Sequence, residues 1–372
     1  MFNKDGNDKE HKGWFTKRRE EKEKREAMML LNLRLNTADD LYNMALDLES
    51  RNTRADKMEA LRGALVASET YQEAVQYDPT NYMPLFKCQR LISSIYSQLN
   101  DYENAYKYAR DAIENSVNIR KYNLAKGHQY AYISNAFYEL ALLCANLGKE
   151  EEATINYYRY IFNINYVLSY YPEEMNDITA EFIRESARML TLYRPKFSHN
   201  EFDDDMVNSY NTLLNEGTKY FTLASDVANY YALSDYQMGV KNYKKSMDLL
   251  NSNYKQIRQF YKSGKTYDKM YFDLVFTSCN LQSLNRQSKN TDFANKLSDV
   301  VIRFLPKAIE TYKTNFYKNS MINVNKKYEY IIDTMKKEYV PTLPTEKQKE
   351  VMKTLNSCLY IVKDYKYIDF DI

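Results

Sequence analysis

The chain has 372 residues, and its 52 lysine and arginine residues are balanced by 50 aspartate and glutamate residues, giving a formal charge of +2. This balance argues against a protein that binds nucleic acid or membrane surfaces through its overall charge. Only 8 glycines and 7 prolines occur, which disfavours β-rich and α/β folds and predicts long helices joined by short turns. No run of about 18 apolar residues occurs, so no membrane-spanning segment is expected.

The four cysteines, Cys88, Cys144, Cys279 and Cys358, are widely separated and form no CxxC pair. Each lies in an apolar helical context, which predicts buried free thiols instead of disulfides or a metal site. The first residues are polar and charged, and they do not resemble a signal peptide. We therefore expect an intracellular, reducing compartment, namely the cytoplasm.

The N-terminal region is predicted to contain an arm followed by helices. Residues 1–13 are mostly polar and are expected to be disordered. Residues 14–50 continue with a mixed-charge block and then the apolar run Met28–Leu35, both of which favour helix. Asn36–Thr37 is predicted to interrupt this helix and to cap a second one over Ala38–Leu48.

Small and aromatic residues recur through residues 51–194 at the spacing that antiparallel helices need for close packing. Small residues let the two helices of a hairpin approach, and large residues fill the gap to the next hairpin. Three groups carry the pattern: Ala67, Tyr71, Ala74 and Pro79; then Ile92, Ser93, Tyr96, Tyr102, Ala105, Ala109 and Ala112; then Phe137, Leu140, Ala141, Cys144, Ala153, Tyr157 and Tyr160. Turns are predicted at Asn100 and Gly148, and Ala105 and Ala153 are predicted to be buried between the helices of their hairpins.

This pattern resembles the tetratricopeptide repeat family, most clearly over residues 55–170. The family unit has about 34 residues in two helices. This chain lacks the signature tryptophan, and Ala67, Ala105 and Ala153 are spaced more widely than the family unit. The resemblance implies an all-α, right-handed solenoid of helical hairpins and a non-catalytic scaffold that binds a protein or peptide partner in its groove.

Beyond residue 172 the pattern fades while helical periodicity continues, so residues 206–372 are predicted to form a divergent helical-repeat half. The charged segment Pro195–Asp205 is the predicted boundary between the two regions. Helices separated by Pro306, Pro341 and Pro344 are predicted over Asp268–Leu284, Thr291–Phe304, Lys307–Tyr317, Asn323–Tyr339 and Thr345–Tyr365.

The resemblance places the partner groove along the first helix of each hairpin. The groove positions predicted in this way are Lys87, Arg90, Ser94, Asn135, Tyr138 and Glu139. Family members that bind chaperone tails hold a terminal carboxylate with lysines, asparagines and an arginine. Only Lys87, Arg90 and Asn135 are suited to that task here, and Glu139 would repel a carboxylate, so the sequence disfavours a chaperone co-factor.

A second hypothesis is nucleic-acid binding by a basic, tyrosine-rich stretch at residues 241–269. Its basic residues are Lys241, Lys244, Lys245, Lys255, Arg258, Lys262 and Lys265. Cations interleaved with aromatic rings are one way to hold single-stranded nucleic acid. The same pattern also fits a solvated helical face whose long side chains cover tyrosine rings.

No catalytic, metal or cofactor site is predicted. Ser263–Thr266 ends like a phosphate-binding loop, but Gln259 replaces the glycine that must precede it, so a turn with Gly264 as a left-handed helix cap is preferred. Asp203–Asp205 are adjacent and point in different directions, unlike the converging carboxylates of a cation site. A third hypothesis, an enzyme built as a closed helical toroid, designates no residue.

Overall fold

The computed structural model describes residues 7–51, 53–193, 203–239, 244–267, 269–314 and 321–364. Within these residues the chain is all α-helical, with fourteen helices and no strand. The helices are α1 Asn7–Glu49, α2 Arg54–Ala74, α3 Tyr82–Gln98, α4 Tyr102–Lys121, α5 His128–Asn146, α6 Glu150–Tyr170, α7 Asp177–Tyr193, α8 Asp203–Asn215, α9 Phe221–Gln237, α10 Lys244–Lys262, α11 Met270–Gln287, α12 Thr291–Thr314, α13 Met321–Thr334 and α14 Thr345–Asp364. The chain divides into two compact units, Met1–Asn156 and Tyr157–Ile372, and the division falls within α6.

The first unit is an array of helical hairpins. Helix α1 packs along α2, and α3 packs along α4. Contacts between α2 and α3 and between α4 and α5 join each hairpin to the next. Helices that pack mainly on their neighbours in sequence define a helical-repeat fold, so the predicted all-α array is confirmed.

Small residues lie where the paired helices come closest. A Cβ atom on Gly63 of α2 would lie 3.4 Å from the backbone oxygen of Leu41 on α1, so the two helices meet with almost no space between them. In the next hairpin, the Ser93 hydroxyl donates to the Ala105 carbonyl oxygen at 2.8 Å. Ala105 and Ala153 are both 0% exposed, which confirms their predicted burial.

The turns inside the hairpins share one backbone conformation. Asn100 and Gly148 have φ of 62° and 70°, the left-handed conformation that ends a helix. The next N–H donates five residues back in each case, from Asp101 to the Tyr96 carbonyl oxygen at 2.9 Å and from Lys149 to that of Cys144 at 2.8 Å. These bonds satisfy carbonyls that the helix end would leave free, and the predicted turns are confirmed.

The second unit keeps the repeat organisation although the sequence pattern fades. Its first helices α7, α9, α11 and α13 contact one another in series, and α9, α11 and α13 each pack on the helix that follows. Lys289, between α11 and α12, has a φ of 63°, and the N–H of Asn290 donates to the Asn285 carbonyl oxygen at 2.8 Å. The hairpin turn of the first unit therefore recurs here.

Helix α1 differs from the prediction because it is continuous. Residues 7–13 are helical, and the break expected at Asn36–Thr37 is wrong. The Thr37 hydroxyl donates to the Leu33 carbonyl oxygen at 3.2 Å, so this residue satisfies its side chain inside the helix and does not cap a new one. Leu31 before the expected break and Ala38 after it are both buried, so the helix packs against the protein on both sides of that position.

One helix boundary that was predicted from a proline is also wrong. Pro306 lies inside α12, so the two helices expected on either side of it are one. Val301, Leu305 and Ala308 are buried around the proline, and this packing outweighs the missing backbone donor. Residues 1–6 of the expected arm and most of the predicted boundary at Pro195–Asp205 lie outside the described residues, and that boundary stays a prediction.

The core of the second unit is partly polar. Residues Phe272 to Asn285 of α11 are buried on every side. Asn229 of α9 donates to the Thr277 hydroxyl at 3.0 Å and accepts from the Asn280 side chain at 2.8 Å, while the Tyr330 hydroxyl of α13 donates to Asn280 at 3.1 Å. One chain of hydrogen bonds thus connects three hairpins, which satisfies amides that would otherwise be costly to bury.

Asp273, in the first turn of α11, is the exception in this polar core. The residue is 1% exposed, and neither carboxyl oxygen has a hydrogen-bond partner of good geometry in the described part of the chain. Burial, and then the nearby charge of Asp226, raise the pKa of Asp273 well above its usual range, against smaller opposing effects of Lys269, Tyr267 and Lys327. The carboxyl group is therefore favoured in its neutral form.

Replacing Ala105 with leucine is expected to lower the free energy of unfolding by about 1–3 kcal/mol, because the added carbons have no space between α3 and α4. Chemical denaturation measures the change. The control is Ala55→Leu, at an exposed position in α2, which should change stability by no more than about 0.5 kcal/mol. Equal effects at the two positions would contradict the packing described for Ala105.

Asp273→Asn is expected to stabilise the protein at neutral pH, because asparagine needs no proton to be buried. A carboxyl whose pKa is raised by folding stabilises the fold fully only below its unfolded pKa, near 4, and that stability declines as pH rises, by up to about 1.4 kcal/mol per pH unit. Urea unfolding between about pH 4 and neutral pH measures the free energy of unfolding, which should change less with pH in Asp273→Asn than in the wild type. Asp248→Asn, at an exposed residue of α10, should leave the profile unchanged. A steeper profile in Asp273→Asn would contradict the neutral form.

Candidate functional site

An open cleft of about 450 Å³ lies in the first unit between α1, α3 and α5. Three of the predicted groove residues, Arg90, Ser94 and Glu139, line it. Helix α1 contributes Tyr42 and Leu46, which the sequence did not assign to the groove. We call this the first-unit cleft.

Arg90 is the best-held side chain of the first-unit cleft. The residue is 9% exposed, and its Nε donates to Glu139 Oε2 at 2.9 Å. Its Nη1 donates to the Tyr132 carbonyl oxygen at 2.8 Å, and its Nη2 donates to Glu139 Oε1. The guanidinium also lies over the Tyr132 ring, 3.7 Å from the ring centroid. Arg90 is therefore held in place by a bidentate ion pair, a backbone carbonyl oxygen and the face of an aromatic ring.

The ion pair changes what the cleft is able to bind. Burial alone would lower the pKa of Arg90, but the Glu139 carboxylate and Tyr132 outweigh that effect, and the pKa is raised. Glu139 was expected to repel a ligand carboxylate. In the structure, the Glu139 carboxylate already accepts hydrogen bonds from Arg90, the residue with which a ligand carboxylate would have to pair. A terminal carboxylate would have to displace Glu139 first, at the cost of breaking the ion pair of a buried arginine.

Part of the remaining polar lining is also held by hydrogen bonds. Glu49 Oε1 accepts from the Ser94 hydroxyl at 3.0 Å and also from the Gln98 amide. The exposed side chains of the lining include the apolar Leu46 and Leu142, which are 41% and 38% exposed, together with the polar Gln98 and Asn146. The first-unit cleft thus presents two exposed apolar side chains beside polar groups, of which Arg90, Glu139, Ser94 and Glu49 bond to one another in pairs.

The other predicted groove residues do not line this cleft. Tyr138 is buried, and Lys87 and Asn135 are half-buried. The Oδ1 atom of Asn135 is buried and accepts no hydrogen bond from the described residues. Whether these three take part in binding stays a prediction.

The basic stretch at residues 241–269 divides into separate parts. Lys241 lies outside the described residues. Lys244, Lys255 and Lys265 are exposed, and Lys245 Nζ forms an ion pair with Asp204 Oδ1 at 2.9 Å. The remaining two, Arg258 and Lys262, line a cleft of about 430 Å³ in the second unit, between α10, α11 and α12. We call this the second-unit cleft.

Two further cations of the second-unit cleft were missed in the sequence. Lys296 and Arg303, both on α12, line it together with Arg258 and Lys262. A spacing of seven residues puts Lys296 and Arg303 on one face of their helix, and this signal could have grouped them. Their proximity to α10 depends on the hairpin packing, which the sequence does not state.

The described residues also include potential nucleophiles and metal ligands, namely cysteine, histidine, aspartate and glutamate. Among them, no group of three or more histidine, cysteine, aspartate or glutamate side chains is arranged to hold a metal ion. All four cysteines are free and buried, as predicted, and burial raises the pKa of Cys88 and of Cys144 to about 12.

Gly264 has a φ of 70°, which confirms its predicted role as a helix cap. None of the described helices is long and apolar enough to cross a bilayer.

No family model matches this chain, and no curated protein matches it. Solved structures show low similarity. BtubC (BKLC) from P. vanneervenii has 14% identity and a TM-score of 0.37, covering 72% of this chain and 95% of its own. A circular tandem repeat protein with novel repeat topology has 14% identity and a TM-score of 0.31, with 90% and 84% covered. The TPR2AB domain of yeast Sti1 in a complex with pHSP90 has 13% identity and a TM-score of 0.26, with 80% and 98% covered. These scores are too low to support an argument about this chain.

Glu139→Gln is expected to lower the free energy of unfolding by about 1–3 kcal/mol, because the buried Arg90 charge loses its carboxylate. Thermal and chemical denaturation measure the loss. Glu23→Gln is the matched control, since its ion pair with Arg19 is exposed and such pairs contribute only about 0–1 kcal/mol. If Glu139→Gln were as mild as the control, Arg90 would not depend on Glu139.

Proposed function

We propose that this chain is a non-catalytic scaffold of tetratricopeptide-like hairpins that binds a segment of another protein in the first-unit cleft. The observation that carries the proposal is the open cleft itself, with the exposed Leu46 and Leu142 beside the hydrogen-bonded Arg90–Glu139 pair. Repeat arrays commonly use such surfaces between neighbouring first helices for binding. The free, buried cysteines support a reducing compartment such as the cytoplasm.

The lining favours a particular kind of segment. Because Glu139 occupies Arg90, a partner that inserts a neutral, apolar side chain fits the cleft better than one that presents a terminal carboxylate. Ser97 and Asn146 also line the cleft and can bond the backbone of an extended or helical segment. A chaperone-tail receptor is accordingly not the function we propose.

Site-specific photo-crosslinking in extracts of the native host tests this proposal. A photoreactive residue at Ser97, within the first-unit cleft, is expected to capture one protein segment, which mass spectrometry would map. The same residue at Val117, exposed on α4 and outside the cleft, serves as the control.

Charge placed in the cleft should then abolish capture. Leu142→Asp is expected to reduce cross-linking at Ser97 by about tenfold or more, because an apolar contact is replaced by a charge that stays solvated. Val117→Asp should leave cross-linking unchanged. Equal capture from Ser97 and Val117, or no effect of Leu142→Asp in a folded protein, would overturn the proposal.

A further inference from the structure

The second-unit cleft has a rim of four cations that come from two helices. Arg258 and Lys262 lie on one face of α10, and Lys296 and Arg303 lie on one face of α12; all four are exposed. No acidic residue is among the described residues that line the cleft, and none of the four cations forms an ion pair with another described residue. This cleft therefore holds a concentrated positive charge that its own walls leave uncompensated.

Between the two rows of cations the cleft is apolar. Ile257, Leu274 and Leu297 are buried beneath it and belong to the packing between α10, α11 and α12. Val300 and Phe293 complete the aliphatic and aromatic lining. A floor of this kind accepts apolar side chains, because each one that enters removes hydrocarbon surface from water.

The aromatic rings of the cleft pack on one another. The ring of Tyr271 stacks on that of Phe304 at a centroid distance of 6.0 Å, and Tyr261 meets Phe304 edge-on at 6.3 Å. Tyr261 remains 52% exposed and forms the accessible end of this cluster. Arg303 lies 5.3 Å from the Phe304 centroid, so the aromatic cluster also positions one of the rim cations.

We propose that the second-unit cleft binds an acidic, amphipathic peptide segment of a protein partner, with apolar side chains on the floor and carboxylates on the rim. This inference rests on the scaffold function proposed above, but it concerns a different site. Charge complementarity selects the partner: four unpaired cations around an apolar floor match alternating acidic and apolar side chains.

Single-stranded nucleic acid fits the same cleft less well. Bases bind by stacking on open ring faces, whereas the faces of Tyr271 and Phe304 are turned towards each other. Phosphates are best neutralised along an extended basic track, and the track of α10 is interrupted where Lys245 pairs with Asp204. The aliphatic floor has no counterpart in the sugar–phosphate backbone.

Fluorescence anisotropy with the full chain tests the inference. The probe is a labelled peptide in which aspartates alternate with phenylalanine and isoleucine. Two control peptides carry asparagine for every aspartate or serine for every apolar residue, and a labelled oligothymidylate tests the nucleic-acid alternative. We expect only the acidic, apolar peptide to bind well, with an affinity that falls as salt is raised.

Charge-reversal pairs locate the site. Lys262→Glu with Arg303→Glu is expected to weaken peptide binding by about tenfold or more, since attraction becomes repulsion at the rim. Arg258→Glu with Lys296→Glu should have the same effect and provides a second pair if the first fails to fold. Lys255→Glu with Lys265→Glu, which alters the same basic stretch outside the cleft, should leave the affinity unchanged.

Three results would overturn the inference. The first is a peptide that does not bind, and the second is peptide binding that survives both rim pairs. The third is oligothymidylate that binds more tightly than the peptide and is weakened equally by the rim and control pairs. Each of these leaves capture at Ser97 in the first-unit cleft unaffected, so the failure of this inference is distinct from failure of the proposed scaffold function.

Discussion

The close approach of paired helices at small side chains is the constraint on which this structure depends. Gly63 leaves only van der Waals space against the Leu41 backbone, and Ser93 bonds directly to the Ala105 carbonyl oxygen. Larger side chains at these crossings would push the helices apart and separate each hairpin from its neighbours. The positions of α1, α3 and α5, and with them the shape of the first-unit cleft, follow from this packing.

In the second unit, hydrogen bonds between polar side chains contribute to the packing of successive hairpins. Its central helix α11 is buried on all sides, yet it carries Thr277 and Asn280 where an ordinary core helix would carry leucine or valine. Their hydrogen bonds to Asn229 and Tyr330 have direction as well as strength, so they favour one rotation of α11 over its alternatives. The polar side chains of α11 thereby help to specify how successive hairpins align.

Local features were the ones that could be predicted from the sequence. The hairpin turns at Asn100 and Gly148, the buried alanines and the free thiols each depend on a few neighbouring residues. The pairing of Arg90 with Glu139 was missed because the two residues are 49 positions apart and meet only through the packing of α3 on its neighbours. The burial of α11 was hidden for a related reason, since its asparagines and glutamine look like surface residues until their partners are known.

The polar chain through α11 has a consequence for how the second unit unfolds. Repeat arrays usually lose their structure one unit at a time, because neighbouring hairpins share only a modest interface. Here the loss of α13 would strip the Tyr330 hydroxyl from Asn280, and the loss of α9 would remove Asn229 from both Thr277 and Asn280. Either step strands buried amides without partners, which opposes partial opening. The hairpins of α9, α11 and α13 should therefore behave as a single cooperative block, with hydrogen-exchange protection that is lost together.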